Sequence, residues 1–412
     1  MVGSAFRFEA TSKGLLDAWP MDFLVWLLCP YLLGIAVAVR RQQTQLFNGS
    51  ILRWPDALGD TTTMTIQERK TREARADDLM SALVCERYGT PDVLKFVSRP
   101  RPSPEKDELL IRVMASTITS GDRRVRSLDV PKGFRTLGRL VLGWHGPRNA
   151  VLGVQFAGVV VATGSRVKGF VVGDAIFGIS GFRMGSHAEY LCLPAQGAIA
   201  RKPETSTFEE SAAMSFGGGT ALYFLRRANL LSGQTILVNG ASGNVGMAAV
   251  QLARDMGGKV TGVCSAVYLD QVRVLGAEKV IDYAQEDFTN LPQRFDVVFD
   301  VACNRPVKRC LNVLKPGGRL IRLLSDLPEM CRAMLPRRDG LRVIAGNAEE
   351  RADYLEDLAD LVRQGRYRPL VARVYPFDEA IEAHRYADLQ NHGGSVVIKM
   401  KDVSKTEVLY DQ

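Results

Sequence analysis

Histidine and cysteine are the scarce chemistry of this chain: 412 residues carry four of the first and seven of the second. The histidines (145, 187, 384 and 392) stand far apart, none in ligand spacing, so a zinc site is not expected. The cysteines (29, 85, 192, 264, 303, 310 and 331) make no CxxC pair and no zinc-ribbon set. An odd, scattered complement excludes a disulfide framework and fits reduced, mostly buried thiols in a cytosol-like compartment. Repeats and low-complexity tracts are absent too. The net charge of +8 is spread over pairs such as Arg123–Arg124, Arg226–Arg227 and Arg337–Arg338. No basic motif interleaved with aromatics accompanies it, so nucleic acid is not an expected partner. An anionic cofactor meets the same excess.

What is present divides unevenly. Residues 23–39, "FLVWLLCPYLLGIAVAV", form an apolar run at the short limit for a spanning helix. Arg40 and Arg41 follow at once, which would leave the rest of the chain on the cytosolic side of a membrane. A cleaved signal is disfavoured, because the positive charge follows the apolar core. Translation from Met64 or Met80 is an equal competitor to a membrane anchor, since "MSALVCERYGTPDVL" opens like a domain start. From Ser81, short strand patterns with glycine bends prevail: "LLIRVMAS", "LGVQFAGVVVATG" and "GDAIFGI". "FEESAAMSFGGGTALYFLRRA" reads as helix on both sides of a glycine break. Strands are then expected at Thr235–Asn239, Val260–Cys264, Val280–Asp282, Asp296–Val301, Leu320–Leu324 and Leu341–Ala345, mostly separated by helical segments. That alternation predicts an α/β doubly wound parallel sheet.

The chemistry concentrates in "NGASGNVG". Gly240, Gly243 and Gly246 follow a strand and open a helix. The first permits a sharp turn, the second lets backbone approach a pyrophosphate, and the third lets helix pack on strand. Free N–H groups at the helix start then favour phosphate. The next strand ends in Cys264, Ser265 and Ala266, without the carboxylate that holds a free ribose 2′-hydroxyl. Ser265 can donate to a 2′-phosphate, so NADPH is favoured over NADH. Arg273 is a weak candidate for that phosphate and reads better as a solvated helix residue.

Together with "ERYGTPDVL", "HAEY", "FGGGTAL", "LGAEKVIDY", "LKPGGR" and "GSVVIKM", these motifs resemble the zinc-independent branch of the medium-chain dehydrogenase/reductase superfamily. The likeness spans about Met80 to Met400 and is greatest to NADPH:quinone oxidoreductases and mitochondrial reticulon-interacting oxidoreductases. It implies a GroES-like β-rich catalytic domain (80–206 and 348–402) with an inserted Rossmann domain (207–347), after an extension (1–79). It also implies a homodimer. By position, Thr220 would lie near the nicotinamide, Ala241, Ser242, Gly243, Val245 and Gly246 around the pyrophosphate, and Tyr283 by the adenosine. Tyr88 and Asp122 would stand near the substrate mouth, although a turn cap and a helix cap serve equally as readings. Where many relatives carry Asn this chain has Thr119, leaving Thr119 or Ser120 to meet the substrate oxygen. The zinc-binding relatives' Cys, Gly-His-Glu motif and four-Cys lobe are missing. The resulting expectation is hydride transfer from NADPH to a quinone or α,β-unsaturated carbonyl. A redox sensor or scaffold with little turnover, and a zinc-free NADP-dependent alcohol dehydrogenase, are the alternatives. His145, in "GWHGPR", is the one histidine in a plausible substrate loop, where a lone histidine is more often a surface residue.

Overall fold

A computed structural model describes residues 79–129, 135–323, 340–389 and 392–401. The apolar run at 23–39, Met64 and the rest of 1–78 lie outside the described residues. Among the described residues, no helix is long and apolar enough to cross a membrane.

The first unit is β-rich. Strands β1 (Leu79–Cys85) and β2 (Leu94–Pro100) form an antiparallel pair. The eleven-residue β3 (Glu108–Ile118) serves two partners on one edge. Its first half pairs with β6 (Tyr190–Pro194). Along its other edge run β4 (Gln155–Thr163), β5 (Ala175–Ile179) and β7 (Ala198–Arg201), all antiparallel. Helices α1 (Ser120–Ser127) and α2 (Arg135–Leu142) leave the end of β3. Leu109, Ile111 and Val113 alternate along β3 into a core with Phe156, Val160 and Ile176, and Leu110, Ser116 and Thr117 are buried too, so the strand is covered on both faces over much of its length.

Helix α3 (Phe208–Arg227) then leads into β8 (Thr235–Asn239), α4 (Asn244–Asp255), β9 (Lys259–Cys264), α5 (Leu269–Leu275) and β10 (Lys279–Asp282). After these come β11 (Phe295–Asp300), α6 (Val307–Asn312), β12 (Leu314–Arg322) and β13 (Arg342–Ala345). The strand order is β10-β9-β8-β11-β12-β13, every neighbour parallel. The order reverses between β8 and β11, so a crevice opens there beyond the carboxyl ends of the strands. The chain returns through α7 (Ala352–Arg363), β14 (Val371–Pro376), α8 (Ala380–Asp388) and β15 (Ser395–Lys399). β15 pairs antiparallel with the second half of β3, Val396 opposite Ile118. Segments from before and after the doubly wound sheet, β3–β7 and β14–β15, therefore build one sheet, and the doubly wound sheet is inserted between them.

Two expectations need correction. α3 is one continuous helix of twenty residues, not two flanking a break. Its glycines serve close packing instead: a Cβ on Gly217 would strike the Asn244 side chain, and one on Gly218 would stand 2.9 Å from Leu358 Cδ1. β12 begins at Leu314, so "LKPGGR" lies inside the strand rather than ahead of it. One buried cluster runs through α3 from Ala115 and Phe177 of the first sheet to Ile236 and Val238 of the second. Each large side chain there contributes about 1.5–3 kcal/mol, so α3 is the seam that fixes the two units against each other.

Candidate active site

The turn after β8 is built as its glycines suggested. Gly240 has φ +84°, in the left-handed region that favours glycine. A Cβ on Gly246 would collide with the Gly240 carbonyl oxygen, so α4 can approach β8 only through a glycine. Gly243 caps α4, and a Cβ there would meet nothing nearer than the Gly240 oxygen at 3.5 Å. Open space above a helix start with unpaired N–H groups is what a pyrophosphate needs. Ala241 and Val245 are buried beneath the turn.

At the end of β9 the Ser265 hydroxyl is buried and has no hydrogen-bond partner. A buried polar atom left unpaired costs about 1–3 kcal/mol, and an anionic or hydroxyl-bearing ligand would relieve it. Tyr283 stands beside it, half exposed, its N–H donating to the Cys264 carbonyl at 3.2 Å. Arg273 pairs with Asp270 at 2.6 Å on the exposed face of α5, as a solvated helix residue would. The residues present fit a dinucleotide.

Beneath the turn lies a network that sequence patterning missed. The fully buried Asp300 carboxylate accepts from Asn239 Nδ2 (2.7 Å), Cys303 N–H (2.9 Å) and Arg322 Nη1 (3.2 Å). It thereby ties the ends of β8, β11 and β12 together next to Gly240. Burial raises its pKa, against the pull of Asn239 and Arg322. An Asp at one strand end and an Asn at another carry no joint signal until the sheet pairs them.

In the first unit, Thr119 caps α1. Its hydroxyl donates to Asp122 Oδ2 (2.6 Å), its N–H donates to the same oxygen (2.8 Å), and the Asp122 N–H donates back (3.2 Å). Asp122 Oδ1 accepts from Gly153 N–H at 2.8 Å, and the carboxylate is fully buried. Thr119 and Asp122 thus form a capping box locked to the β4 approach. The Thr119 proton is already committed, whereas Ser120, the next residue, is exposed. Tyr88 donates its hydroxyl to the Gly143 carbonyl at 2.6 Å, tying the loop after β1 to the end of α2. Thr220 is buried in α3, one turn beyond Phe216, and His145 is exposed.

Behind α1 two histidines are buried edge to face, His187 and His384, ring centroids 5.2 Å apart. His384 Nδ1 contacts Arg126 Nη1 at 3.0 Å, and Arg126 bonds Asp388 at 2.5 Å. Burial lowers both imidazole pKa values; Asp122 opposes this at His187, while Arg126 reinforces it at His384. No group of three or more His, Cys, Asp or Glu able to hold a metal occurs among the described residues.

Two family profiles match: the alcohol dehydrogenase GroES-like domain over residues 105–204, and the zinc-binding dehydrogenase profile over 275–398. A 2-methylene-furan-3-one reductase of Solanum lycopersicum is 33% identical, covering 76% of each chain. The chain belongs to the medium-chain dehydrogenase/reductase family, on its quinone-oxidoreductase-like branch. A chloroplastic NADPH-dependent alkenal/one oxidoreductase of Arabidopsis thaliana is 32% identical over 80% of this chain and 81% of its own. The solved quinone oxidoreductase of Coxiella burnetii superposes with a TM-score of 0.69 at 27% identity, covering 78% of this chain and all of that one.

Proposed function

We propose that this protein is an NADPH-dependent reductase that passes hydride to a quinone or an α,β-unsaturated carbonyl without zinc. The carrying observation is the open glycine turn at the switch point, with the unpaired Ser265 hydroxyl at its ribose end. When bound, NADPH supplies two electrons and one proton as hydride, and solvent supplies the second proton. Gly240, Ala241, Ser242, Gly243, Val245 and Gly246 wrap the pyrophosphate, Ser265 takes the 2′-phosphate, and Tyr283 borders the adenosine. Thr220 backs the nicotinamide. The exposed Ser120 hydroxyl donates to the acceptor oxygen as charge grows on it. Thr119 and Asp122 hold the start of α1, and Tyr88 fixes the mouth; alignment and exclusion of water are the protein's share of catalysis.

The division into 80–206 with 348–402, and 207–347, is supported by the β3–β15 pairing across the insert. We place the catalytic body on the cytosolic side of any membrane held by 23–39, from Arg40 and Arg41, and assign a homodimer from the family likeness.

The test is cofactor absorbance with NADPH or NADH and a panel of an ortho-quinone, a para-quinone and an enone. NADPH consumption that requires an acceptor is expected. Tight binding without turnover would favour the sensor, and NADP⁺ reduction by alcohols the dehydrogenase. No binding would sink the cofactor site.

A further inference from the structure

Gln155 opens β4, fully buried, opposite Thr117 on β3 and Ile179 on β5. Its main-chain carbonyl collects two hydroxyls, Ser116 at 3.0 Å and Ser186 at 2.9 Å, which themselves lie 2.7 Å apart. Its backbone is thus pinned from two sides. The side chain leaves the sheet and crosses the seam: Oε1 accepts the Phe216 N–H of α3 at 2.9 Å. That contact fixes the amide orientation, because only the oxygen can accept. The two N–H groups of Nε2 are then left without a partner, as are the Thr117 hydroxyl and the Ser215 hydroxyl, all buried. Thr117 shares the sheet face of Gln155 as its cross-strand partner, and Ser215 immediately precedes Phe216.

The placement gives this tie a consequence. On the sheet side, β3 runs within two residues of Thr119 and Ser120. On the helix side, Phe216 stands one turn before Thr220, across the glycines of which Gly217 meets Asn244 of α4 and Gly218 meets Leu358 of α7. We propose that Gln155 is a positioning residue, which sets the Gly217–Thr220 stretch that backs the nicotinamide relative to the strand end that receives the acceptor. This rests on the reductase reading for its catalytic effect, though not for the tie itself. Glutamate is the instructive replacement. One oxygen keeps the Phe216 bond, and the other accepts from the Thr117 or Ser215 hydroxyl. Leucine fills similar space and removes the tie.

The test compares the full-length wild-type chain with Q155L and Q155E. Three readouts are amide hydrogen exchange over 208–227, NADPH affinity, and single-turnover hydride transfer to a quinone. Q155L should exchange faster around Phe216, bind NADPH within about threefold of wild type because the pyrophosphate turn is untouched, and transfer hydride about 10–100-fold more slowly through misalignment. Q155E should restore both exchange and transfer towards wild type. Transfer unchanged in Q155L, or a loss that Q155E does not rescue, overturns the proposal. If the wild-type chain turns over no acceptor, the reductase reading fails, and exchange still decides: unaltered exchange in Q155L overturns the tie. Should Q155L not fold, Q155E with slowed transfer at wild-type NADPH affinity would also contradict it.

Discussion

Thr119 and Ser120 are adjacent hydroxyls with different obligations. The first is spent on Asp122, and the second faces solvent. Thr119→Ala should therefore cost about 1 kcal/mol of stability as a lost cap, visible in a melt. Ser120→Ala should leave the melt unchanged and lower kcat with the carbonyl acceptor; equal kinetics in the two variants would count against Ser120 as donor. The sequence named both residues, yet could not rank them, because the ranking depends on where the Asp122 carboxylate turns. Asp122 read equally as mouth residue and helix cap; its four hydrogen bonds favour the cap. Gln155 and Asp300 were not legible at all. Each is an ordinary strand residue until a partner more than sixty positions away is folded against it.

At the scale of elements, the phosphate turn was the most legible part of the chain. A strand, three glycines at fixed spacing and a helix are contiguous, so local rules suffice. α3 was misread because the glycines that lower its helix propensity are required by neighbours, Gly217 by Asn244 of α4 and Gly218 by Leu358 of α7, which the local pattern does not contain. Gly246 carries the same requirement in its strictest form, since the obstacle is backbone. Gly246→Ala should destabilise the fold by about 1–3 kcal/mol through overpacking and weaken NADPH binding, both measurable by a melt with and without cofactor. Retained affinity would show that the turn tolerates a displaced α4.

For the whole molecule, alternation predicted the doubly wound sheet, while closure of the first sheet by β15 was expected only from the family likeness. No local signal joins Val396 to Ile118. The buried His187–His384 pair adds a global property. Their folded pKa values lie below the usual 6.5, so the unfolded chain binds more protons once pH drops below that value. Stability is therefore full above about pH 6.5 and falls with acidification, by up to about 1.4 kcal/mol per histidine for each pH unit. Melting temperature should drop between pH 7.5 and 5, and His384→Gln should flatten that slope; a pH-independent wild-type melt would contradict the linkage. The central claim, direct transfer of hydride to an acceptor, is tested most directly with NADPH deuterated at C4 and an enone. Deuterium is expected on the β-carbon of the product from one face of the nicotinamide, with a slowed transfer step. NADPH bound but not consumed, or deuterium lost to solvent, would contradict it.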